Sequence, residues 1–229
     1  MSEELLASLL VAHPGLSRNE PEVAANIAIQ LEHMGLEVRG VSLLRRIRDV
    51  VAKLEAKTVL EIGAGIGHLS AWLLDYFAGV DKRPERYTIV EEGSRFAVII
   101  KRLLRSSSAK EWAEVIVGNP VILAAETKAW SLSGTTADQP ILPRECDCII
   151  VDTTIGKVVE TITSLLPLLS KGGLLLTTEP IAPSGERETE DSEVVAFNEW
   201  IDLIKRCNDS HSLAFMPIYG GTLVAFYNA

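Results

Sequence analysis

The residues best equipped for chemistry lie in one stretch, Val59-Leu60-Glu61-Ile62-Gly63-Ala64-Gly65-Ile66-Gly67-His68. An apolar run enters three alternate glycines and leaves into a helical pattern, Leu69 to Phe77. Bare backbone at such a bend lets a ligand approach a strand end and the free N–H groups of a helix start. The spacing is G-x-G-x-G, because His68 stands where the pyrophosphate fingerprint places its third glycine. Glu61 precedes the first glycine by two residues, and a second acid, Glu91, closes the next apolar run, Tyr87-Thr88-Ile89-Val90. A carboxylate at that strand end can accept both hydroxyls of a ribose. At roughly 1.5–3 kcal/mol per charge-assisted bond, its loss should weaken binding about ten- to a hundredfold. Glu92, next in sequence, suits the positive start of a following helix.

Short apolar runs at Val59–Ile62, Tyr87–Val90, Val115–Val117, Cys148–Val151 and Leu174–Leu176 are separated mostly by helical stretches. That alternation predicts parallel strands with crossover helices. Two late strands, Ser212–Pro217 and Thr222–Tyr227, follow a helix at Val194–Cys207, and Tyr219-Gly220-Gly221 turns them into a hairpin. The expected fold is therefore α/β, three-layered and Rossmann-like, with a mostly parallel seven-stranded sheet and an antiparallel C-terminal hairpin. Lys128–Glu145 and Ser184–Glu193 read as surface loops. Trp130 and Tyr219 fall on segments expected near the carboxyl edge of the sheet, where open α/β sheets bind ligands.

The N-terminal part reads as helices. Glu3–Val11 is broken by His13-Pro14-Gly15. Ser17-Arg18-Asn19-Glu20 matches a capping box before Pro21. Val23, Ile27, Leu31 and Met34 would form one apolar face, stopped at Gly35. A third helix, Ser42–Leu54, carries Arg45, Arg46, Arg48 and Lys53, read as a solvated basic face.

With 229 residues, the chain is expected to divide into a helical extension, 1–41, and one ligand-binding domain, 42–229. Apolar residues at 47% and charged residues at 23% exclude disorder. A formal charge of −9 disfavours a sequence-independent nucleic-acid binder. Charges interrupt every apolar stretch, so no membrane span is expected, and MSEELLASLL lacks the basic start of a secretory signal. Cys146, Cys148 and Cys207 make no disulfide framework, which suits the cytoplasm. Cys146 and Cys148, two apart on a strand, should share one face, and without a nearby His they predict no zinc site.

The sequence E-x-G-x-G-x-G followed by a strand-terminal acid resembles the class I S-adenosylmethionine-dependent methyltransferases. Later stretches narrow the resemblance to the caffeoyl-CoA and catechol O-methyltransferase-like family, over about residues 42–229. They are Ile116-Val117-Gly118-Asn119, Ile149-Ile150-Val151-Asp152, Leu165-Leu166-Pro167-Leu168-Leu169-Ser170-Lys171-Gly172-Gly173, Phe197-Asn198 and Pro217-Ile218-Tyr219-Gly220-Gly221. The resemblance implies an O-methyltransferase acting on a small, phenolic or otherwise hydroxylated acceptor. Its S-adenosylmethionine site would comprise Glu61, Gly63, Ala64, Gly65, Gly67, Ser70, Glu91, Glu92, Asn119 and Asp152. Within it Glu91 would hold the ribose and Asn119 the adenine. The N-terminal helices would serve as a lid or as the contact of a homodimer.

The departures fall on the acceptor half. Where the family reads Asp-Ala-Asp-Lys, this chain reads Asp152-Thr153-Thr154-Ile155, and the nearest lysine is Lys157. Where the family completes a metal site with Asp-Asn, Thr178-Glu179 stand here. Asp152 and Glu179 are thus the candidate ligands for a Mg²⁺ ion, which needs only one or two carboxylates, and Asp152 is the candidate catalytic base. His68 reads as a packing or capping group. Three alternatives compete: an RNA methyltransferase using Arg45, Arg46, Arg48, Lys101, Arg102 and Arg105; a cofactor-binding protein without methyl transfer; and a nicotinamide oxidoreductase, which the glycine spacing and closing hairpin disfavour.

Overall fold

A computed structural model describes residues 3–80, 83–133, 141–185 and 188–229. Three helices, α1 (Glu3–Leu10), α2 (Glu22–His33) and α3 (Val41–Leu54), precede the first strand. Then come β1 (Thr58–Ile62), α4 (His68–Ala78), β2 (Arg86–Glu91), α5 (Ser94–Ser106), β3 (Ala113–Val117) and α6 (Pro120–Ser133). The chain continues through β4 (Cys146–Val151), α7 (Ile155–Leu165), β5 (Leu169–Thr178), α8 (Ser192–Cys207), β6 (Ser212–Ile218) and β7 (Gly221–Tyr227). The strands form one seven-stranded sheet in the order β3-β2-β1-β4-β5-β7-β6. All neighbours are parallel except β7, which runs antiparallel to both β5 and β6. This is the expected fold class. The order reverses between β1 and β4, which opens a crevice at their carboxyl ends.

Alternation along the central strands divides the core. Val59, Ile89, Cys148, Ile150, Leu174 and Leu176 face the layer of α1 to α5, while Leu60, Val90, Ile149, Val151 and Leu175 face α6 to α8. The sequence expectation for the two cysteines fails here. Cys146 lies in the second core and Cys148 in the first, because the pairing of β4 with β5 slips between them. Burial pushes the Cys146 thiol up to about 12, so it behaves as a small apolar group.

Three further expectations are corrected at the N-terminal side. Ser17 Oγ accepts from Asn19 N at 3.1 Å in a local turn, so no capping box forms; α2 begins after Pro21, and Glu20 turns toward His68. The buried face of α2 is Ala24, Ile27 and Leu31, with Val23 and Met34 about half exposed. α2 packs against α4, and Ala24 takes the buried position expected of Val23. The basic residues of α3 are not a solvated face. Arg46 donates to Leu10 O at 2.7 Å, Lys53 to Ser8 O and Val11 O, and Arg45 to Arg18 O. Arg46 and Lys53 thus take up carbonyls at the C-terminal end of α1, and Arg45 takes one in the connection to α2. Arg48 is buried on Asp49 at 2.5 Å, with its guanidinium 5.5 Å from the Trp72 ring centroid. The expected loop from Lys128 is also corrected, since α6 continues to Ser133 and carries Trp130; residues 134–140 lie outside the described residues.

Candidate functional site

Three strand ends meet at Gly63. Its N–H donates to Val90 O of β2 at 3.0 Å, and Asp152 N, just past β4, donates to Ile62 O at 2.9 Å. Gly63 has φ +79°, and a Cβ there would lie 1.9 Å from the Asp152 carbonyl oxygen. Gly65, at φ +57°, has open space where its side chain would be. Gly67 also has positive φ, but a Cβ there would meet Leu103 of α5 at 3.0 Å, so it serves helix packing and does not line the cleft. Only Gly, of all residues, takes these backbone conformations freely.

Over this bend lies a cleft of about 350 Å³. The predicted residues Glu61, Gly63, Ala64, Gly65, Glu91, Glu92 and Asp152 all line it. Glu91 is 8% exposed and holds the bend in place: Oε2 accepts from Gly65 N and Oε1 from Gly93 N, both at 2.8 Å. Glu92 is more open and pairs with Lys157 at 2.7 Å. Lys157 thus sits beside Glu92 on this cleft. Asn119 is exposed and caps α6 through Oδ1, which accepts from Val121 N and Ile122 N at 2.9 and 3.2 Å. Its amide also reaches Glu92 at 3.4 Å, and its neighbour Pro120 is the one that lines the cleft.

Ser70 turns away from the cleft and donates to both oxygens of Glu61 at 3.0 Å. The Tyr87 hydroxyl donates to the same carboxylate from below. Glu61 is fully buried, and burial pushes it up to about 7; the Tyr87 and Ser70 bonds oppose that rise, while the charges of Asp152 and Glu91 add to it. The unfolded carboxyl titrates near 4.5, so the folded state binds more protons between these values. This contribution to stability is fully present below about 4.5 and is lost as pH rises through about 7. Between about pH 5 and about pH 8, thermal melts of the wild type should therefore fall relative to Glu61→Gln, which removes the titration. Parallel curves would refute it.

A second cleft of about 420 Å³ adjoins the first. Glu37, Arg39, Thr153 and Thr154 line both. Arg39 comes from the connection between α2 and α3, a residue the sequence reading passed over. Its Nε lies 3.1 Å from each oxygen of Asp152, its Nη2 lies 2.5 Å from Oδ1, and its Nη1 lies 2.5 Å from Glu37 Oε1. Glu37 and Arg39, two apart on an extended segment, were a faint signal at best. Thr153 Oγ1 and His68 Nδ1, on residues lining the first cleft, are buried and have no hydrogen-bond partner among the described residues. Burial holds His68 below its usual pKa, against Glu20 at 3.4 Å. Tyr219, 90% exposed, and Trp130, 5.6 Å from the Arg144 guanidinium, line neither cleft.

A nucleoside cofactor fits the first cleft: a glycine cradle and a strand-end carboxylate with spare lone pairs line one volume. A divalent cation does not fit the donor set. Both Asp152 oxygens are engaged by a guanidinium, Glu179 lines the second cleft and not the first, and the described residues hold no cluster of three His, Cys, Asp or Glu side chains suited to a metal.

No protein-family model and no curated protein sequence matches the chain. Solved structures do. The O-methyltransferase TomG from Streptomyces achromogenes, involved in tomaymycin synthesis and solved with S-adenosylmethionine, is 17% identical at a TM-score of 0.67, covering 99% of this chain and 96% of its own. An O-methyltransferase from Bacillus cereus with bound S-adenosylhomocysteine is 16% identical at a TM-score of 0.65, with the same coverage of 99% and 96%. The methyltransferase PaMTH1 of Podospora anserina, also with S-adenosylhomocysteine, is 14% identical at a TM-score of 0.62, covering 99% and 94%. At such identities the likeness is one of architecture, and over nearly its whole length this chain has the fold of these methyltransferases.

Proposed function

We propose that the chain is an S-adenosylmethionine-dependent O-methyltransferase acting on a small phenolic or otherwise hydroxylated acceptor. The observation that carries this reading is Glu91, whose carboxylate is fixed by Gly65 N and Gly93 N at the mouth of the glycine bend. Each oxygen accepts one backbone bond and retains a lone pair for a ribose hydroxyl. The Glu91 carboxylate also places negative charge in this cleft, toward which a sulfonium and an ammonium would be drawn. S-adenosylmethionine, when bound, supplies an electrophilic methyl group for in-line displacement. The chain's own part is alignment and exclusion of water. Leu31, Leu44 and Ile66 line the cofactor cleft, and the residues shared with the second cleft mark where an acceptor would meet the cofactor.

The three unpaired buried thiols suit a cytoplasmic setting. No helix among the described residues is long and apolar enough to cross a membrane. The homodimer belongs to the same reading, and half-exposed Val23 and Ile29 of α2, with Met34 just past its end, are apolar surface that it would cover. The RNA alternative is weakened because Arg45, Arg46 and Arg48 are spent on carbonyls and Asp49 within the chain.

Calorimetric titration should show binding of S-adenosylhomocysteine and none of NADH. Radiolabelled methyl groups should pass to catechols or flavonoids and not to bulk tRNA. Label entering only RNA would replace this reading with the alternative.

A further inference from the structure

We propose that the Arg39 guanidinium, held on Asp152 where the two clefts meet, supplies the positive charge that receives the acceptor oxygen, so that methyl transfer in this chain needs no divalent cation. The inference rests on the methyltransferase reading and deepens it. A guanidinium has five N–H groups. The Nε–H and one Nη2–H are spent on Asp152 and one Nη1–H on Glu37, which leaves one on each terminal nitrogen. The Arg39 side chain is 26% exposed, so a ligand in the clefts can reach those groups, while the fork on Asp152 fixes their direction. Glu37 is 73% exposed and solvent screens its charge, so it offsets little of the field.

The second cleft restricts what can arrive. Its wall includes Ile155, Val158, Pro180 and Ile181, apolar surface suited to a ring. Its charged residues are Glu37, Glu179, Glu193 and Arg39, so Arg39 is the one cation among the described residues lining it. A polyanionic acceptor would meet repulsion; a phenol can enter neutral and carries a single charge only once it ionises against Arg39. Its proton leaves to solvent, and the phenolate oxygen accepts the two free N–H groups of Arg39. The oxygen lone pair then forms the O–CH₃ bond as the sulfonium C–S bond breaks, and the electron pair returns to sulfur as the thioether.

The test uses the full chain, stripped of metal with EDTA, freed of the chelator and saturated with S-adenosylhomocysteine. Calorimetry first establishes that saturation, and its failure would count against the methyltransferase reading itself. Mn²⁺ is then added at micromolar concentration and followed by electron paramagnetic resonance. The free-ion signal should stay undiminished; stoichiometric uptake by the wild type overturns the proposal. Nitrocatechol, whose visible band reports its ionised oxygen, is the acceptor probe. In EDTA the wild type should shift that band toward the ionised form, Arg39→Lys should keep part of the shift, and Arg39→Ala should lose it. A shift equal in Arg39→Ala and wild type, one seen only with Mn²⁺, or none in any protein overturns the proposal. Should Arg39→Ala fail to fold in thermal melts, Arg39→Gln, which keeps length and loses charge, takes its place with the same expected loss.

Discussion

Replacing Gly63 by Ala should abolish cofactor binding and sharply lower the melting temperature, although the substitution adds one methyl group. The left-handed backbone at φ +79° costs an Ala about 1–2 kcal/mol. The larger penalty is steric. The new Cβ would sit 1.9 Å from the Asp152 carbonyl oxygen and 2.9 Å from its carbon, and both are main-chain atoms. They have little room to retreat, because Asp152 N is bonded to Ile62 O and Gly63 N to Val90 O, which locks β1, β2 and β4 together at this point. Relief therefore means separating strand ends at the centre of the sheet, with a total loss on the order of 3 kcal/mol or more. Gly65→Ala is the informative comparison. Its φ of +57° brings a similar backbone strain, but its Cβ meets nothing within 4 Å. That variant should fold with a modest drop in melting temperature and lose affinity for S-adenosylhomocysteine by filling the space the ligand needs. Melting curves and calorimetry on the two variants check both statements. A Gly63→Ala protein that melts and binds like the wild type would refute the account of the bend.

What the sequence makes legible follows from which interactions are local. The glycine bend, Glu61 and Glu91 are readable because a strand, a turn and a helix start occupy a few consecutive residues, and their chemistry needs particular residue types. The sheet is readable because two-residue alternation and crossover helices dictate it, including the antiparallel hairpin of β6 and β7. Arg39 is not readable, because its role depends on Asp152, 113 residues away, and neither residue constrains its own neighbours. The role of the basic residues of α3 is hidden for the same reason, since their partners are carbonyls of the preceding segment, which have no side-chain signature. The capping box failed through competition: Ser17 Oγ found a donor two residues away, before a helix could use it. The cysteine faces were misplaced because a slip in strand pairing is a property of two strands, and alternation within one strand cannot reveal it.

Glu91→Ala should lose at least about a hundredfold in affinity for S-adenosylhomocysteine, more than a ribose contact alone requires. Two charge-assisted bonds to a ribose, at roughly 1.5 kcal/mol each, already amount to about a hundredfold. The structure adds a second cost, because the same carboxylate accepts Gly65 N and Gly93 N at 2.8 Å and so holds the bend in its binding shape before any ligand arrives. Without it, part of the binding energy must go into ordering the bend. Glu91→Gln should be nearly as damaging, because its amide nitrogen cannot accept and leaves one of those N–H groups facing a donor. Glu91→Asp is one methylene too short to span both N–H groups and should fall between the Gln variant and the wild type. Asp202→Asn provides the control. It breaks an exposed pair with Lys205 on α8, away from both clefts, a contact worth well under about 1 kcal/mol, and affinity should change by less than about threefold. Calorimetry on the four variants decides the matter. If Glu91→Ala binds S-adenosylhomocysteine as tightly as the wild type, this bend does not hold a ribose and the cofactor assignment fails with it. If Glu91→Gln matches the wild type while Glu91→Ala does not, the carboxylate is a spacer and its charge has no part in recognition.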